Sequence, residues 1–320
     1  MRRRAIAKAW PVFAICGLVA SCGSRTGLFS DEGVASTNNG PEPGRDGGRD
    51  GRIDADEELD ALPPIDVQPK ADVDRTDCPD ADATYVYVVS SQNQLYAFYP
   101  PALTFKLIGN LVCPSGGSTP FSMAVDRKGV AYVVFTDGQL FRVSTATAAC
   151  IPTSYVPDQE GFNTFGMGFA SEFGGPLEHL YVAENNFNGL SAGLGRIDVS
   201  TFKLAFVDKF NPAIPRAELT GTGDGRLFAF WPDRFQPTGS HVAEVNKTTA
   251  QVVAQTDLPI ARTNDAFAFA FWGGDFWIFT SPGGASEVHR FRPADGTTSK
   301  MTTHPSTIVG AGVSTCAPQE

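Results

Sequence analysis

Five short stretches in which apolar and polar residues alternate recur along the chain, and this repeat constrains the fold more than any other feature. The copies begin at residues 95, 140, 194, 242 and 288, so successive copies are 45, 54, 48 and 46 residues apart. Alternation with a period of two is typical of half-buried β-strands. A repeat of about 45 to 50 residues made only of short strands is typical of propeller blades. The copies lie at Leu95–Phe98, Gly138–Thr145, Leu194–Ile197, Val242–Val245 and Val288–Phe291.

Each copy is accompanied by three further predicted strands. An aromatic-rich strand precedes it, an outer strand follows it, and a segment of small residues comes before both. Small residues favour the innermost strands, where neighbouring blades crowd around a central channel. No stretch from residue 78 onward has a sustained helical pattern. The predicted inner segments are Phe121–Val125, Phe165–Phe169, Leu219–Gly223, Phe267–Phe271 and Val309–Val313.

The two ends of the repeat region complement each other. The first repeat begins at Thr84 without an inner strand, and Thr307–Thr315 is an inner strand with nothing after it. Pairing the two completes one blade and removes an exposed sheet edge. The prediction is therefore an all-β protein, a β-propeller of five four-stranded blades closed by pairing of the N- and C-terminal strands. The alternative is a six- or seven-bladed ring with degenerate blades in the longer connections, for which the 54-residue interval leaves little room.

Residues 1–21 have the pattern of an export signal. Four basic residues precede an apolar run, Ala9–Ala20, that is short for a membrane span. The run ends in Leu18–Cys22, which resembles the lipobox of bacterial lipoproteins. That resemblance implies cleavage before Cys22, acylation of this cysteine with palmitate-type chains, and anchoring in the cell envelope. Gly23 and Ser24, with no Asp beside the cysteine, favour the outer membrane of a Gram-negative bacterium. The alternative is an ordinary secretory signal with an incidental cysteine.

Residues 22–77 are predicted to be a disordered, acidic tether rich in Gly, Pro and Asp, followed by the propeller domain at 78–320. Residues 23–77 contain one aromatic residue, Phe29, too little apolar surface to offset the entropy of ordering. Within the tether, Asp46–Glu57 resembles an EF-hand calcium loop. Gly48 occupies the third loop position, however, and Pro63–Pro64 would interrupt the exit helix. A solvated linker is the favoured interpretation.

Four cysteines remain in the propeller domain once Cys16 and Cys22 are set aside, which suits an oxidising compartment. Cys78 and Cys316 flank the two strands that close the ring, so their pairing is favoured. Cys113 would then pair with Cys150 and tie the ends of two successive outer strands. The alternatives are other pairings or free thiols.

The composition and motifs exclude some functions more clearly than they indicate one. Without the basic residues of the signal, the charge is −14, and so acidic a chain would repel nucleic-acid backbones. Catalytic motifs are not found, and His179, His241, His289 and His304 have no partner at ligand spacing.

The rim where the inner strands begin is the better place for a site. Glu218, Asp265 and Asn163 offer oxygen ligands to Ca²⁺ or another divalent ion, and Asn264 is a further candidate for ligand binding there. The set is similar to that of metal-dependent lactonases of the gluconolactonase type, which have six blades and whose motifs do not match residue by residue. The alternative is no cofactor, with polar residues that solvate the channel.

Three phrases of the sequence together resemble a group of uncharacterised lipoproteins from myxobacteria and their relatives. The phrases are Cys22–Leu28, Thr119–Asp126 and Ala217–Asp224. The resemblance implies an envelope location and a propeller fold, and it implies no activity.

We therefore expect a monomeric, non-enzymatic binding or interaction module, anchored to the membrane by its lipid. Its partner would be a protein, a glycan or a small molecule rather than nucleic acid. A metal-dependent hydrolase using the channel mouth, or a structural part of an envelope assembly, is the alternative.

Overall fold

The computed structural model describes residues 62–69, 73–79, 84–187, 189–233, 239–261 and 266–320. The chain divides into two compact units, Met1–Asp56 and Glu57–Glu320, and every described residue belongs to the second. The predicted signal, Cys22 and the calcium-loop-like segment therefore lie outside the described residues. Within the described part, no helix has the length and apolar character needed to span a membrane.

The described residues form five four-stranded antiparallel sheets, which confirms the predicted five-bladed β-propeller. Blade 1 contains, from the centre outward, β20 (Ile308–Gly312), β1 (Val86–Ser90), β2 (Gln94–Tyr99) and β3 (Thr104–Asn110). Blade 2 contains β4 (Pro120–Val125), β5 (Val130–Phe135), β6 (Leu140–Ser144) and β7 (Cys150–Pro152). Blade 3 contains β8 (Phe165–Ser171), β9 (Glu178–Glu184), β10 (Leu194–Asp198) and β11 (Lys203–Asp208). Blade 4 contains β12 (Glu218–Gly221), β13 (Leu227–Pro232), β14 (Ser240–Val245) and β15 (Val252–Leu258). Blade 5 contains β16 (Ala266–Trp272), β17 (Asp275–Gly283), β18 (Ala285–Arg292) and β19 (Thr297–His304). In blade 1, a 3-10 turn, Pro100–Ala102, joins β2 to β3.

Blade 1 is assembled from both ends of the domain, as the sequence predicts. β20 pairs antiparallel with β1, with Tyr87 opposite Gly312 and Val88 opposite Ala311. The inner edge of β1, which would otherwise have unpaired N–H and C=O groups, is therefore covered. The closure makes the ring continuous.

Neighbouring inner strands approach closely because their residues are small. A methyl group on Gly166 of β8 would overlap the carbonyl oxygen of Ala217, just before β12. A methyl group on Gly310 of β20 would lie 2.7 Å from the backbone nitrogen of Met123 in β4. Contacts this close between neighbouring backbones leave no room for a side chain, so glycine is required at these positions.

Aromatic side chains fill the space between blades. Between blades 4 and 5, Phe228, Phe269, Phe271 and Phe276 are fully buried in one apolar cluster. Phe228 and Phe276 meet edge to face, with ring centroids 5.0 Å apart. Because such pairs add to the free energy of burial, blade-to-blade packing contributes substantially to stability.

Both predicted disulfides are present. Cys78 bonds to Cys316, across a sequence separation of 238, and Cys113 bonds to Cys150. The first links the chain ahead of β1 to the chain after β20, and the second links the loop after β3 to β7. In the loop-entropy description, a crosslink across so long a loop stabilises the fold by about 4 to 5 kcal/mol.

Residues 62–69 and 73–79, together called the strap, lie against the propeller. Ile65 and Val67 are buried in the cluster between blades 4 and 5. The guanidinium of Arg226 donates to the carbonyl oxygens of Asp66 and Val67, at 2.5 and 3.0 Å. The sequence analysis assigns residues up to 77 to a disordered tether. In the structure, two alternating apolar side chains give residues 62–69 enough burial to be held in place.

The second part of the strap is held at the centre of one face by Arg127, which is only 2% exposed. Its Nη2 donates to Asp77 at 2.7 Å, and the same nitrogen donates to the carbonyl oxygen of Asp74. Its Nη1 donates to Ser171 and Thr315 at 3.4 and 3.3 Å. One buried cation thus joins the strap, blade 3 and the chain after β20.

Glu178 lies at the same face and makes folding pH-dependent. Its two carboxylate oxygens accept hydrogen bonds from the backbone N–H of Arg127 at 2.7 Å and from the hydroxyl of Thr315 at 2.8 Å. Burial raises the pKa of Glu178 to about 7 and the charge of Asp126 adds to this rise, whereas those two hydrogen bonds and the charge of Arg127 oppose it. Because its pKa is higher in the folded than in the unfolded state, protonation of Glu178 stabilises the fold. This contribution is fully present below the unfolded pKa of 4.5 and is lost as the pH rises through about 7.

We therefore expect Glu178→Gln to remove part of this pH dependence. The difference in unfolding free energy between variant and parent should change by up to roughly 1.4 kcal/mol per pH unit between the unfolded and folded pKa values, and stay constant above them. Urea unfolding of both proteins from pH 4 to 9 measures this difference. A constant difference across the whole range would contradict the assignment.

Candidate functional site at the channel mouth

The two ends of the channel are different. All five inner strands run in the same direction, so their first residues meet at one end, called the mouth, and their last residues meet at the other, called the closed end. The second part of the strap, residues 73–79, and Thr315 lie across the closed end, where Arg127 binds them.

The mouth contains a cavity of about 210 Å³ that is lined by residues of all five blades. Its walls come from the starts of inner strands and from the residues that follow second strands, because antiparallel neighbours return to the same end. The lining residues include Ser91, Thr119, Pro120, Phe121, Thr136, Gly166, Asn185, Phe187, Arg216, Glu218, Phe267 and Val309.

Glu218, the first residue of β12, is the buried acid of this cavity. It is 5% exposed, and its Oε2 accepts a hydrogen bond from the Ser122 hydroxyl of β4 at 2.6 Å, across the channel. Burial raises the pKa of Glu218 well above its usual range, and the hydrogen bond from Ser122 and the charge of Arg216 oppose this rise. The carboxyl group therefore favours its protonated form, which can donate a hydrogen bond.

Arg216, two residues before Glu218, lies between two aromatic rings. Its guanidinium carbon is 5.1 Å from the ring centroid of Phe187 and 5.1 Å from that of Phe267. Phe187 also meets Phe121 edge to face at 6.3 Å. The rings attract the cation through their quadrupoles and form the apolar walls of the cavity.

Asn185, directly after β9, supplies an unused hydrogen-bond acceptor. Its backbone N–H donates to the carbonyl oxygen of Thr164 at 3.0 Å, and its Nδ2 donates to Thr164 Oγ1, also at 3.0 Å. Its buried Oδ1 has no hydrogen-bond partner among the described residues. A buried acceptor in this state costs free energy.

The predicted site residues separate into three groups. Glu218 lines the cavity. Asn163 is exposed and packs against the turn at Gly138, and it is not among the described residues that line the mouth. Asn264 and Asp265 lie outside the described residues. Within the described ranges, no group of three His, Cys, Asp or Glu side chains is arranged to hold a metal ion.

The sequence analysis missed Asn185, Arg216 and the three phenylalanines of the mouth. Arg216, Phe121 and Phe267 lie just before or at the starts of inner strands, where only oxygen-bearing side chains were sought. Asn185 and Phe187 follow a second strand, and second strands end at the same rim. Their signal was a position directly after a predicted aromatic-rich strand.

A separate cluster surrounds His241 on blade 4. Its Nδ1 lies 2.7 Å from Asp257 and its Nε2 lies 3.3 Å from Asp233. The ring of Trp231 packs on the imidazole, with centroids 5.2 Å apart. Both ring nitrogens have carboxylate partners, so the structure accounts for His241 as a hydrogen-bonded surface residue.

No protein-family profile and no curated protein sequence matches this chain. Solved structures of similar shape include a nidogen/laminin complex, with 9% identity, a TM-score of 0.48, and coverage of 72% of this chain and 98% of that chain. The structure of the Dos1 propeller has 13% identity and a TM-score of 0.40, covering 73% of this chain and 71% of that one. A structural genomics protein of unknown function from Bacteroides thetaiotaomicron has 14% identity and a TM-score of 0.42, covering 68% and 58%. No functional inference follows from likenesses at this level.

Proposed function

We propose that the protein is a lipid-anchored binding module of the bacterial cell envelope and that it binds its ligand at the mouth of its propeller. A β-propeller is a scaffold suited to binding, and ligands commonly occupy pockets at the mouths of closed β-structures. The signal-like residues 1–21 and the lipobox-like Leu18–Cys22 support the envelope location.

The observation that carries the binding proposal is the convergence of unlike groups in one small cavity. A buried acid and a cation held between aromatic rings both line the same space. Structural packing alone would favour apolar residues with satisfied polar atoms at this position. Convergent polar groups within apolar walls are typical of ligand sites.

We expect Phe187→Ala to weaken ligand binding without unfolding the protein. Phe187 is 64% exposed, so its loss costs little stability, but it removes one ring beside Arg216. The measurement is a thermal-shift screen of the full chain against neutral, anionic and cationic solutes and short peptides. A hit should lose about tenfold in affinity in the variant, which corresponds to about 1.4 kcal/mol. Phe173→Ala, which removes a still more exposed ring outside the cavity, is the control.

A metal-dependent hydrolase remains the competing proposal, and the same protein tests it. One tightly bound divalent ion, lost together with lactone hydrolysis in Glu218→Gln, would replace the binding module with an enzyme. Elemental analysis and a thermal shift after chelation measure this. Hits that depend on Phe187 and persist in the presence of chelator would support the binding module.

The anchor is tested at Cys22. We expect the parent to incorporate an alkyne-labelled fatty acid and to fractionate with membranes in a Gram-negative host. Cys22→Ser should do neither, because several acyl chains are needed for stable anchoring. Cys16→Ser, inside the predicted signal, is the matched control and should remain labelled. Equal labelling of the Cys22 variant would refute lipidation at this residue.

A further inference from the structure

The turn between β8 and β9 places exposed apolar side chains at the closed end of the propeller. Its residues Phe173–Leu177, called the tip, include no charged side chain. Phe173 is 91% exposed, more than any other large apolar side chain in the described part of the chain. Leu177 is 60% exposed, and Pro176 is exposed as well. The tip therefore presents an apolar surface that the rest of the domain does not cover.

The backbone conformation of Phe173 adds strain to this exposure. Its φ is +50°, in the left-handed region that suits glycine or asparagine better than a bulky residue. Such strain is tolerated where close packing holds a residue in place, yet the ring of Phe173 lies almost entirely in solvent. Neither cost is offset within the domain. A strained, exposed aromatic side chain is typical of a residue that contacts something outside its own domain.

The tip is also ordered, and its backbone polar groups have partners. The N–H of Gly175 donates to the carbonyl oxygen of Glu172 at 2.9 Å. The carbonyl oxygen of Gly174 accepts from the N–H of Asp74 in the strap, also at 2.9 Å. Pro176 has no N–H that would need a partner. Moving the tip out of water therefore breaks few hydrogen bonds and requires little further ordering.

Other exposed aromatic rings have partners within the protein. At the mouth, the ring of Phe187 lies beside the guanidinium of Arg216. At the closed end, Tyr85 and Tyr99 meet edge to face, with ring centroids 5.8 Å apart. Among the described aromatic residues, Phe173 makes no such ring contact. An outside partner for the tip would therefore supply what the other rings already have.

The predicted anchor would bring a membrane within reach of the tip. The described strap begins at Leu62, which packs against the apolar cluster of blades 3 and 4, and blade 3 carries the tip. Cys22 and Leu62 are 40 residues apart. A flexible tether of that length, as the sequence predicts, spans about 35 Å on average. A lipid at Cys22 would thus give the tip a high effective concentration at the bilayer surface.

We propose that the tip inserts Phe173 and Leu177 into the boundary between headgroups and acyl chains of the membrane that carries the anchor. Because the tip has no charge, zwitterionic lipids suffice and anionic lipids are not required. The mouth, at the opposite end of the channel, then faces away from the bilayer and stays open to ligands. The inference rests on the proposed function, because it requires the lipid at Cys22.

Quenching of tryptophan fluorescence by brominated lipids tests this position of the tip. The full chain, purified from a Gram-negative host, is reconstituted in vesicles of phosphatidylcholine and phosphatidylethanolamine, with or without bromine on the acyl chains. The tryptophan introduced by Phe173→Trp should lose about half of its emission or more, since interfacial insertion reaches about 5 to 10 Å deep. Phe187→Trp makes the same change in an exposed ring at the mouth and should lose none. The parent supplies the background of the native tryptophans.

Phe173→Asn separates membrane contact from stability. Asparagine tolerates a positive φ, so the melting temperature of this variant should be no lower than that of the parent. Insertion is followed through the tryptophan of Leu177→Trp. Adding Phe173→Asn to that variant should lower the ratio of docked to undocked tips by about tenfold or more. Quenching should persist in about 0.5 M sodium chloride, because apolar insertion is not screened by salt.

The outcomes distinguish the tip from the anchor. Absence of quenching in Phe173→Trp, or equal quenching in Phe187→Trp, would overturn docking while the parent remained anchored. A parent that carries no lipid and is not retained by vesicles would overturn both the anchor and the docking that depends on it. Concentration-dependent association of Cys22→Ser that Phe173→Asn abolishes would mean that the tip binds a second copy of the chain, which would also overturn insertion.

Discussion

Deletion of residues 306–320 should abolish cooperative folding of the propeller. The deletion removes β20, which pairs with β1 and packs between β4 and β16, and it removes the partner of Cys78. It also leaves the inner edge of β1 unpaired, and an unpaired strand edge favours aggregation. The expected result is a protein with no cooperative transition in urea and a large soluble-aggregate fraction in size exclusion. Circular dichroism during denaturant titration provides the measurement.

The control separates the loss of the strand from the loss of the disulfide. The double variant Cys78→Ser, Cys316→Ser keeps β20 and should still fold. Its unfolding free energy should be lower than that of the parent by about 4 to 5 kcal/mol. If the truncated protein melted at the temperature of the parent, closure of the ring by its two ends would be refuted.

Gly166→Ala should be strongly destabilising. The new methyl group would overlap the carbonyl oxygen of Ala217, and the backbone of β12 cannot move without displacing Glu218 and its hydrogen bond to Ser122. Strain of this kind costs at least about 3 kcal/mol when no flexible side chain can yield. The melting temperature should therefore fall by about 6 to 12 °C, as measured by calorimetry.

Gly283→Ala is the matched control. It makes the same chemical change at the end of β17, where a methyl group would meet nothing within 4 Å. Its melting temperature should stay within about 2 °C of the parent. Equal losses in the two variants would contradict the contact between blades as the cause, because the effect of Gly→Ala on the unfolded chain is stabilising.

Much of the fold could be predicted from the sequence because each blade repeats one pattern. Alternation marks the strands, and small residues such as Gly166 and Gly310 mark the inner ones, since side chains do not fit there. The missing strand at one end and the surplus strand at the other predicted the closure and, from it, the bond between Cys78 and Cys316. These predictions were confirmed because they depend on the local periodicity of the sequence and on the number of strands in each repeat.

The strap and the site were harder to predict for a different reason. Ile65 and Val67 are two isolated apolar residues in an acidic, proline-containing segment, and only the groove between blades 4 and 5 makes their burial favourable. Likewise, Asn185 and Arg216 belong to neighbouring blades and line the same cavity. Such proximity depends on the angle between neighbouring sheets, which no local pattern of residues encodes. Glu218 was predicted because it occupies the start of an inner strand.

The bond between Cys78 and Cys316 has a mechanical consequence for a protein held by its N-terminal end. A pull on the chain ahead of Cys78 would reach the domain at a residue already joined to the segment after β20. The load would divide between β1 and β20, which pair with each other. The hydrogen bonds between these two strands would therefore not be broken one after another from one end. Arg127 and Arg226, which bind the strap, would take up force first. A ring closed in this way should resist tension from its tether far better than one closed by hydrogen bonds alone.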